Sequence, residues 1–267
     1  MKLKRKIKSR AEITGIIILM SAAAIFFFNP YLAAALAFLY IVLCVAASFL
    51  PQTNFLFEVV SHGNTGKPAV ALTFDDGPTK PTTRQILDLL DKYSACATFF
   101  VTGVHAVRFP ELIKEIVARG HAVGNHSFHH DPFLMLKSSR IIYQEILAAQ
   151  EILQNAGVQT KAFRPPVGIV NPKLPLLLER AGMYCVTFSC RAGDAGNRRV
   201  RNLSGRILKK VKGGDIILLH DVPARRKEDG EVLLREIENL LQGLALRGLK
   251  IIPLSALIGK EIMEKRN

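Results

Sequence analysis

Two short stretches of this chain concentrate side chains able to do hydrolytic chemistry. In Thr73-Phe74-Asp75-Asp76-Gly77-Pro78, adjacent carboxylates follow a β-rich run and precede a Gly-Pro turn. Adjacent side chains diverge, so the two cannot share one job: one can bind a metal while the other reaches toward water or substrate. In His126-Ser127-Phe128-His129-His130, three of the chain's seven histidines fall within five residues. His126 and His130, spaced i, i+4, converge if the segment turns helically, and His129 at i+3 competes with His130 on geometry. Two imidazoles and one carboxylate leave open positions for water and substrate, an arrangement that suits hydrolytic Zn, Co, Fe or Ni. The plainer reading of the Asp pair is a loop with an N-capping carboxylate.

Strand-like and helix-like segments alternate around these residues. Strands are expected at Ala69–Phe74, Ala97–Val101, His121–Asn125, Ala162–Phe163, Tyr184–Phe188, Asp215–Leu219 and Lys250–Pro253. Helices are expected at Thr82–Tyr93, Pro110–Arg119, Arg140–Ala156, Lys173–Ala181, Val200–Lys210 and Glu231–Arg247, several stopped by a glycine. Such alternation predicts an α/β fold with a parallel sheet and outer helices, and six or seven units predict a closed or nearly closed β/α barrel. Barrel chemistry sits at the C-terminal ends of strands. Asp75-Asp76, His126, Arg164 and His220-Asp221 all fall there. Arg164-Pro165-Pro166 also reads as a rigid turn, His220-Asp221 as a capping pair, and Leu218 as plain core.

Thr73–Pro78, His126–His130, Arg164-Pro165-Pro166-Val167-Gly168 and Leu218-Leu219-His220-Asp221 together resemble the polysaccharide deacetylase family, the NodB-homology, chitin-deacetylase-like group, and occur in its order. Ala97–Gly103 and Gly120–Asn125 are similar to it as well, so the resemblance spans about Pro68 to Pro253. It implies a distorted (β/α)7 barrel with a divalent metal, most often zinc, with Co, Ni or Fe as alternatives. Carried onto this sequence, Asp76, His126 and His130 hold the metal, and Asp75 is the general base. His220 is the general acid. Arg164 pairs with Asp75, Asp194 orients His220, the Val167 N–H faces the developing oxyanion, and Leu218 lines the acyl pocket. Two departures touch the sugar rim. Phe188 and Ala195 stand near Asp194 where relatives carry aromatic residues, Trp especially, and Val167 follows the proline pair where an aromatic is common. A rim so poor in rings argues against a long polymer.

The amino-terminal portion differs in kind. The chain has 267 residues, 49% of them hydrophobic, with mean hydropathy +0.21. The excess is concentrated between Ile13 and Leu50, a stretch without a charged residue. As one helix it would reach about 57 Å against a hydrocarbon core of about 30 Å, and Asn29-Pro30 interrupts it. The expectation is a transmembrane helical hairpin of spans 13–28 and 31–50. It follows a basic segment 1–12 and precedes a linker 51–67 and the catalytic domain 68–260. A cleaved signal peptide is the competing reading, but the apolar region far exceeds an h-region. The basic start should stay in the cytoplasm. Two spans return the catalytic domain to the cytoplasmic face of the bacterial inner membrane, whereas a single span would make it periplasmic.

The formal net charge is +14. Beside an apolar anchor this suits an anionic membrane surface. No nucleic-acid module is visible, and the basic clusters lack interleaved aromatics. Cys44, Cys96, Cys185 and Cys190 do not form a disulfide framework and are expected as free thiols. The expected activity is metal-dependent removal of an N-acetyl or N-formyl group from an amino sugar of a membrane-associated or lipid-linked glycan. The expected partners are such a glycan, carried on polyprenyl phosphate, and membrane lipid, with no nucleic acid. The alternatives are a periplasmic deacetylase of peptidoglycan or another envelope polysaccharide and a catalytically silent membrane glycan-binding protein.

Overall fold

The computed structural model describes residues 9–265. The basic segment 1–12 lies mostly outside the described residues. Two helices open the fold, α1 (Arg10–Phe26) and α2 (Pro30–Phe49). Ser9 caps α1 in a capping box with Glu12. Asn29 caps α2, with Pro30 at its first turn. The helices fold back on each other: Tyr40 donates its hydroxyl to the Ala11 carbonyl at 2.8 Å. Among the described residues one helix, α2, is long and apolar enough to cross a membrane. Helix α1 has 17 residues, about 26 Å of rise against a hydrocarbon core of about 30 Å, the lower limit for a span. Exposed large apolar side chains crowd both helices, among them Ile17, Leu19, Met20, Phe38, Leu39 and Ile41.

The catalytic-size remainder is built on a curled parallel sheet. Its elements are β1 (Ala69–Asp75), α3 (Thr82–Lys92), β2 (Ala97–Val101), α4 (Gly103–Arg108), α5 (Pro110–Ala118), β3 (Ala122–Asn125), α6 (Ser139–Asn155), β4 (Val158–Thr160), β5 (Ala162–Phe163), α7 (Leu174–Arg180), β6 (Tyr184–Cys185), β7 (Cys190–Arg191), α8 (Leu203–Leu208), β8 (Ile216–His220), α9 (Gly230–Leu246), β9 (Lys250–Ile251), α10 (Leu254–Ile258) and β10 (Met263–Lys265). The strand order is β6-β5-β3-β2-β1-β8-β7, with β9 also pairing β1. β10 and β4 form a separate antiparallel ribbon, which carries the domain past the expected limit at residue 260.

The two-residue period of the strands explains which side chains face the site. On β1, Val70, Leu72 and Phe74 pack outward against the helices, whereas Ala69 and Ala71 belong to the inner cluster. Thr73 and Asp75 continue that inner row. On β8, Ile217 and Leu219 face outward, leaving Ile216, Leu218 and His220 inside. The registers Asp75↔Phe100 and Asp75↔His220 bring three inner residues to one level at the strand ends.

The architecture corrects the expectation of a closed barrel. No ladder joins β6 to β7, so the sheet is a half-barrel. Regular pairing in the expected strand Tyr184–Phe188 ends at Cys185, because the Thr187 carbonyl instead accepts from Arg164. Segment 51–67, expected as a linker, is packed: Leu56 and Val59 are buried. It bridges Val60 to Val186 beyond β6 and His62 to Asp215 before β8, crossing the open seam. The expected helix Val200–Lys210 shortens to Leu203–Leu208, begun by Asn202 in a left-handed conformation. Helix α4 was not expected. All four cysteines are free. Burial pushes the Cys185 thiol up to about 12, a protonated, unreactive state at neutral pH.

Candidate active site

The inner residues at the strand ends open into a cavity of about 510 Å³. Asp75, Asp76, His126, His130, Val167, Asp194, Leu218 and His220 all line it, so eight of the nine predicted site residues meet there. The ninth, Arg164, lies fully buried beneath them.

Three groups define the arrangement. In the first, Asp76 Oδ1 lies 3.4 Å from His126 Nε2 and 3.2 Å from His130 Nε2. That oxygen is buried and makes no hydrogen bond. A buried carboxylate oxygen without a partner, facing two imidazole nitrogens, fits a divalent cation by donor type and by position. His126 Nδ1 lies 2.7 Å from the Arg164 carbonyl. A carbonyl only accepts, so Nδ1 carries the proton and Nε2 presents its lone pair inward, the backing found around metal-binding histidines.

The histidines converge by a route other than the expected helical turn. His126–His130 is irregular, with Ser127 at φ 64° and His130 at φ 55°. Two left-handed residues fold the loop sharply enough to turn His130 back over His126. The competition between His129 and His130 is resolved by the same loop. His129 points outward and binds Glu145 on α6 through both its ring (2.6 Å) and its backbone N–H (2.9 Å).

In the second group, Arg164 donates to Asp75 Oδ1 at 2.6 Å and to Thr73 Oγ1 at 2.8 Å through Nη1, and to the Thr187 carbonyl through Nη2. Its guanidinium stacks on Phe100, 3.9 Å from the ring centroid. Phe100 fits there because residue 124 is glycine: a Cβ would stand 2.5 Å from the Phe100 ring. Asp75 Oδ1 is thereby occupied, and Oδ2, 3.6 Å from His126 Nε2, faces the cavity.

In the third group, His220 Nδ1 bonds Asp194 Oδ2 at 2.8 Å, leaving Nε2 for the cavity. Asn197 ties the assembly together, its N–H donating to Asp194 and its amide to the carbonyls of His220 and Val222.

The electrostatics follow from burial and neighbours. Burial pulls the His220 pKa down, but the Asp194 hydrogen bond and the charges of Asp194, Asp76 and Asp75 outweigh it, so the net shift is upward. Burial would raise Asp194 and Asp76, and their histidine neighbours instead hold both below the usual carboxylate range. His126 moves up, because Asp75, Asp76 and the Arg164 carbonyl overcome its burial. His130 moves down, through burial and the charge of His126.

Backbone strain gathers at the same place. Asp76, His130, Val167 and Ala195 line the cavity with positive φ, and for β-branched Val167 (φ 52°) this conformation is rare. Each such residue costs about 1–3 kcal/mol and persists where function requires it.

Sequence reasoning missed several supporting residues. His105 on α4 bonds the Asp76 carbonyl at 2.6 Å. Asn125 accepts from the Ser127 N–H and anchors the histidine loop. Asp221, read in the sequence only as part of the His220-Asp221 pair, is fully buried, its carboxyl pushed well above the usual carboxylate range by that burial, and accepts from Thr83 at 2.7 Å beneath Gly77. The signals were present as unexplained polar residues in apolar surroundings, in Gly103-Val104-His105 and Gly124-Asn125.

A half-barrel of this topology carrying an Asp-His-His set, an Arg-paired carboxylate and an Asp-paired histidine defines a metal-dependent deacetylase class. Residues 62–186 match the polysaccharide deacetylase family model. The peptidoglycan-N-acetylglucosamine deacetylase of Bacillus cereus is 32% identical over 191 residues, 71% of this chain and 87% of its own length. The chain therefore belongs to the polysaccharide deacetylase family, carbohydrate esterase family 4, and is a hydrolase of that type. The chitooligosaccharide deacetylase of Sinorhizobium fredii is 34% identical, covering 64% of this chain and 80% of its own. Among solved structures, the Bc1960 peptidoglycan N-acetylglucosamine deacetylase matches with TM-score 0.67 and 29% identity over 78% of this chain and 95% of that one. Bacillus anthracis BA3943, named a pseudoenzyme of the family, matches with TM-score 0.67 at 22% identity, which shows the shared fold alone.

Proposed function

We propose that this deacetylase hydrolyses the N-acyl group, acetyl or formyl, of an amino sugar in a membrane-associated or lipid-linked glycan, using one divalent ion, zinc by preference, on Asp76, His126 and His130. The observation that carries the reading is the convergence of that ligand set with Asp75–Arg164 and His220–Asp194 in one cavity. A divalent ion there supplies Lewis acidity, polarising the amide carbonyl and lowering the pKa of water toward about 7.

The chain's own residues do the rest. Asp75, fixed through Oδ1 by Arg164, takes a proton from the attacking water at Oδ2. The Val167 N–H donates to the carbonyl oxygen as negative charge develops. His220, its pKa raised by Asp194, gives its Nε2 proton to the leaving amine. Leu218, on the inner face of β8, packs against the acyl methyl. Water and amide become carboxylate and free amine.

The anchor is a two-span hairpin, α1 and α2, in the bacterial inner membrane. The catalytic domain faces the cytoplasm. The charge-free stretch, its exposed apolar side chains and the free thiols support that orientation. A periplasmic deacetylase of peptidoglycan is the second reading, favoured by the names of the Bacillus relatives.

Released acetate or formate, measured with purified full chain on lipid-linked and polymeric N-acyl sugars, tests the activity. Asp75→Asn should abolish release while one equivalent of metal stays bound, and persistent release would sink the assignment of the base. Cysteine-accessibility labelling of spheroplasts tests orientation: labelling of the domain from outside would favour the periplasmic reading.

A further inference from the structure

A second groove, of about 420 Å³, adjoins the catalytic cavity. One wall is the end of α2 with Phe49, Leu50 and Pro51, and the other is Val167–Ile169 with Phe188. Val167, Gly168, Phe188 and Arg191 line both spaces, so the two adjoin along these residues. The junction is stitched by backbone: the Val170 N–H donates to the Ser48 carbonyl at 3.0 Å, hanging the active-site loop on the last turn of α2.

The groove is amphiphilic. Phe49 and Leu50 are 61% and 47% exposed at the end of the apolar helix. Arg191 and Lys210 reach into the same space, and neither pairs with a described carboxylate. Arg191 lies over the Phe188 ring, 5.5 Å from its centroid. Phe188 is the one aromatic ring other than histidine lining the catalytic cavity, so little there would stack a sugar polymer. Two cations without a described carboxylate partner, beside an apolar wall that continues into a membrane helix, match an anionic headgroup carrying a lipid tail.

We propose that this groove holds the phosphate and first lipid carbons of a prenyl-phosphate-linked substrate while its amino sugar occupies the catalytic cavity. The proposal rests on the deacylase reading above and adds the site that would select a membrane-held substrate over a soluble one. Arg191 and Lys210 bind the phosphate, and Phe49, Leu50 and Ile169 cover the tail.

The test uses full chain in detergent micelles with two substrates, N-acetylglucosamine on a short prenyl diphosphate and soluble chitotetraose. Lys210→Glu should raise KM for the prenyl-linked sugar at least about tenfold and leave kcat/KM for chitotetraose unchanged, which also controls for folding. Equal kcat/KM of the native chain on both substrates, or an equal loss on both in Lys210→Glu, would overturn the proposal. If neither substrate is deacylated, the deacylase reading fails, and direct binding of farnesyl phosphate decides the groove separately. Weakening of that binding by Lys210→Glu supports it, and an unchanged affinity rejects it. Displacement of farnesyl phosphate by phosphatidylglycerol would make the groove a site for bulk lipid, against the proposal.

Discussion

Replacing Asp194 by Asn isolates the charge that raises the pKa of His220, the proposed general acid. The amide can still accept from His220 Nδ1, so the ring keeps its orientation while losing the carboxylate at 2.8 Å. The pair is well shielded, with side chains 14% and 2% exposed, so solvent screening is weak. An opposite charge at that range stabilises the imidazolium and so raises the pKa of the ring, each pH unit being worth about 1.4 kcal/mol. The sign follows from the proton count. Burial alone pulls His220 down, and Asp194 is the first of the neighbours that reverse it. In the native chain the protonated acid persists to higher pH. In Asp194→Asn burial prevails and the acid loses its proton earlier. The alkaline limb of kcat/KM against pH should move to lower pH. At a pH on that limb the rate should fall about tenfold for each unit moved, with a smaller loss at low pH. The assay is acetate release from chitotetraose by metal-loaded protein over a pH series. A uniformly lowered profile with its limbs in place would refute this role for Asp194 and leave it only as the cap of the Asn197 loop.

Four further outcomes follow from the same geometry. Arg164→Leu should cost about 3–5 kcal/mol in denaturant unfolding, because it strands the buried Asp75 carboxylate without its partner, and an unchanged midpoint would refute that coupling. Removing metal with a chelator should abolish turnover, with zinc or cobalt restoring it. Because the His126 pKa is raised, protons compete more strongly with metal for its Nε2, so affinity should weaken as pH falls, as read by competition with a chromogenic chelator. Gly77→Ala would set a Cβ 2.2 Å from Asp221 Oδ2, and the displaced Asp76 turn should lose metal affinity together with about 1–3 kcal/mol of stability, measured by thermal unfolding and metal titration.

The parts of the fold legible in the sequence were those with strong periodicity. Val70, Leu72 and Phe74 alternate with Ala69, Ala71 and Thr73, and that alternation alone orients Asp75 inward. Long amphipathic helices such as α6 and α9 were found within a residue or two for the same reason. Helix α4 was missed because six residues opening on Gly103 carry too little pattern, yet it brings His105 to Asp76. Strand β7 is two residues long and has no period to read. The role of 51–67 was hidden because a segment fixed by single bridges to Val186 and Asp215 looks, in sequence, like any loop with glycines.

The residues expected at the site do meet in one cavity, but by a construction other than the expected one. Spacing of i, i+4 suggested a helix for His126 and His130, since a helix is the cheapest way to align two such side chains. A helix would also put His129 nearly on the same face and leave a choice between two ligands. The loop avoids that ambiguity. Left-handed Ser127 and His130 turn His130 inward, while the His129 backbone and ring are both claimed by Glu145. The conformational cost falls on non-glycine residues, about 1–3 kcal/mol each, and is offset by anchors such as Asn125 to Ser127 N–H and Ser127 Oγ to His130 N–H. A single-residue choice between two adjacent histidines is thus made by a glutamate 16 residues away on another element, information that local spacing does not contain. The same holds on the acid side, where Asp194 reaches His220 across 26 positions and only the curvature of the half-barrel makes them neighbours.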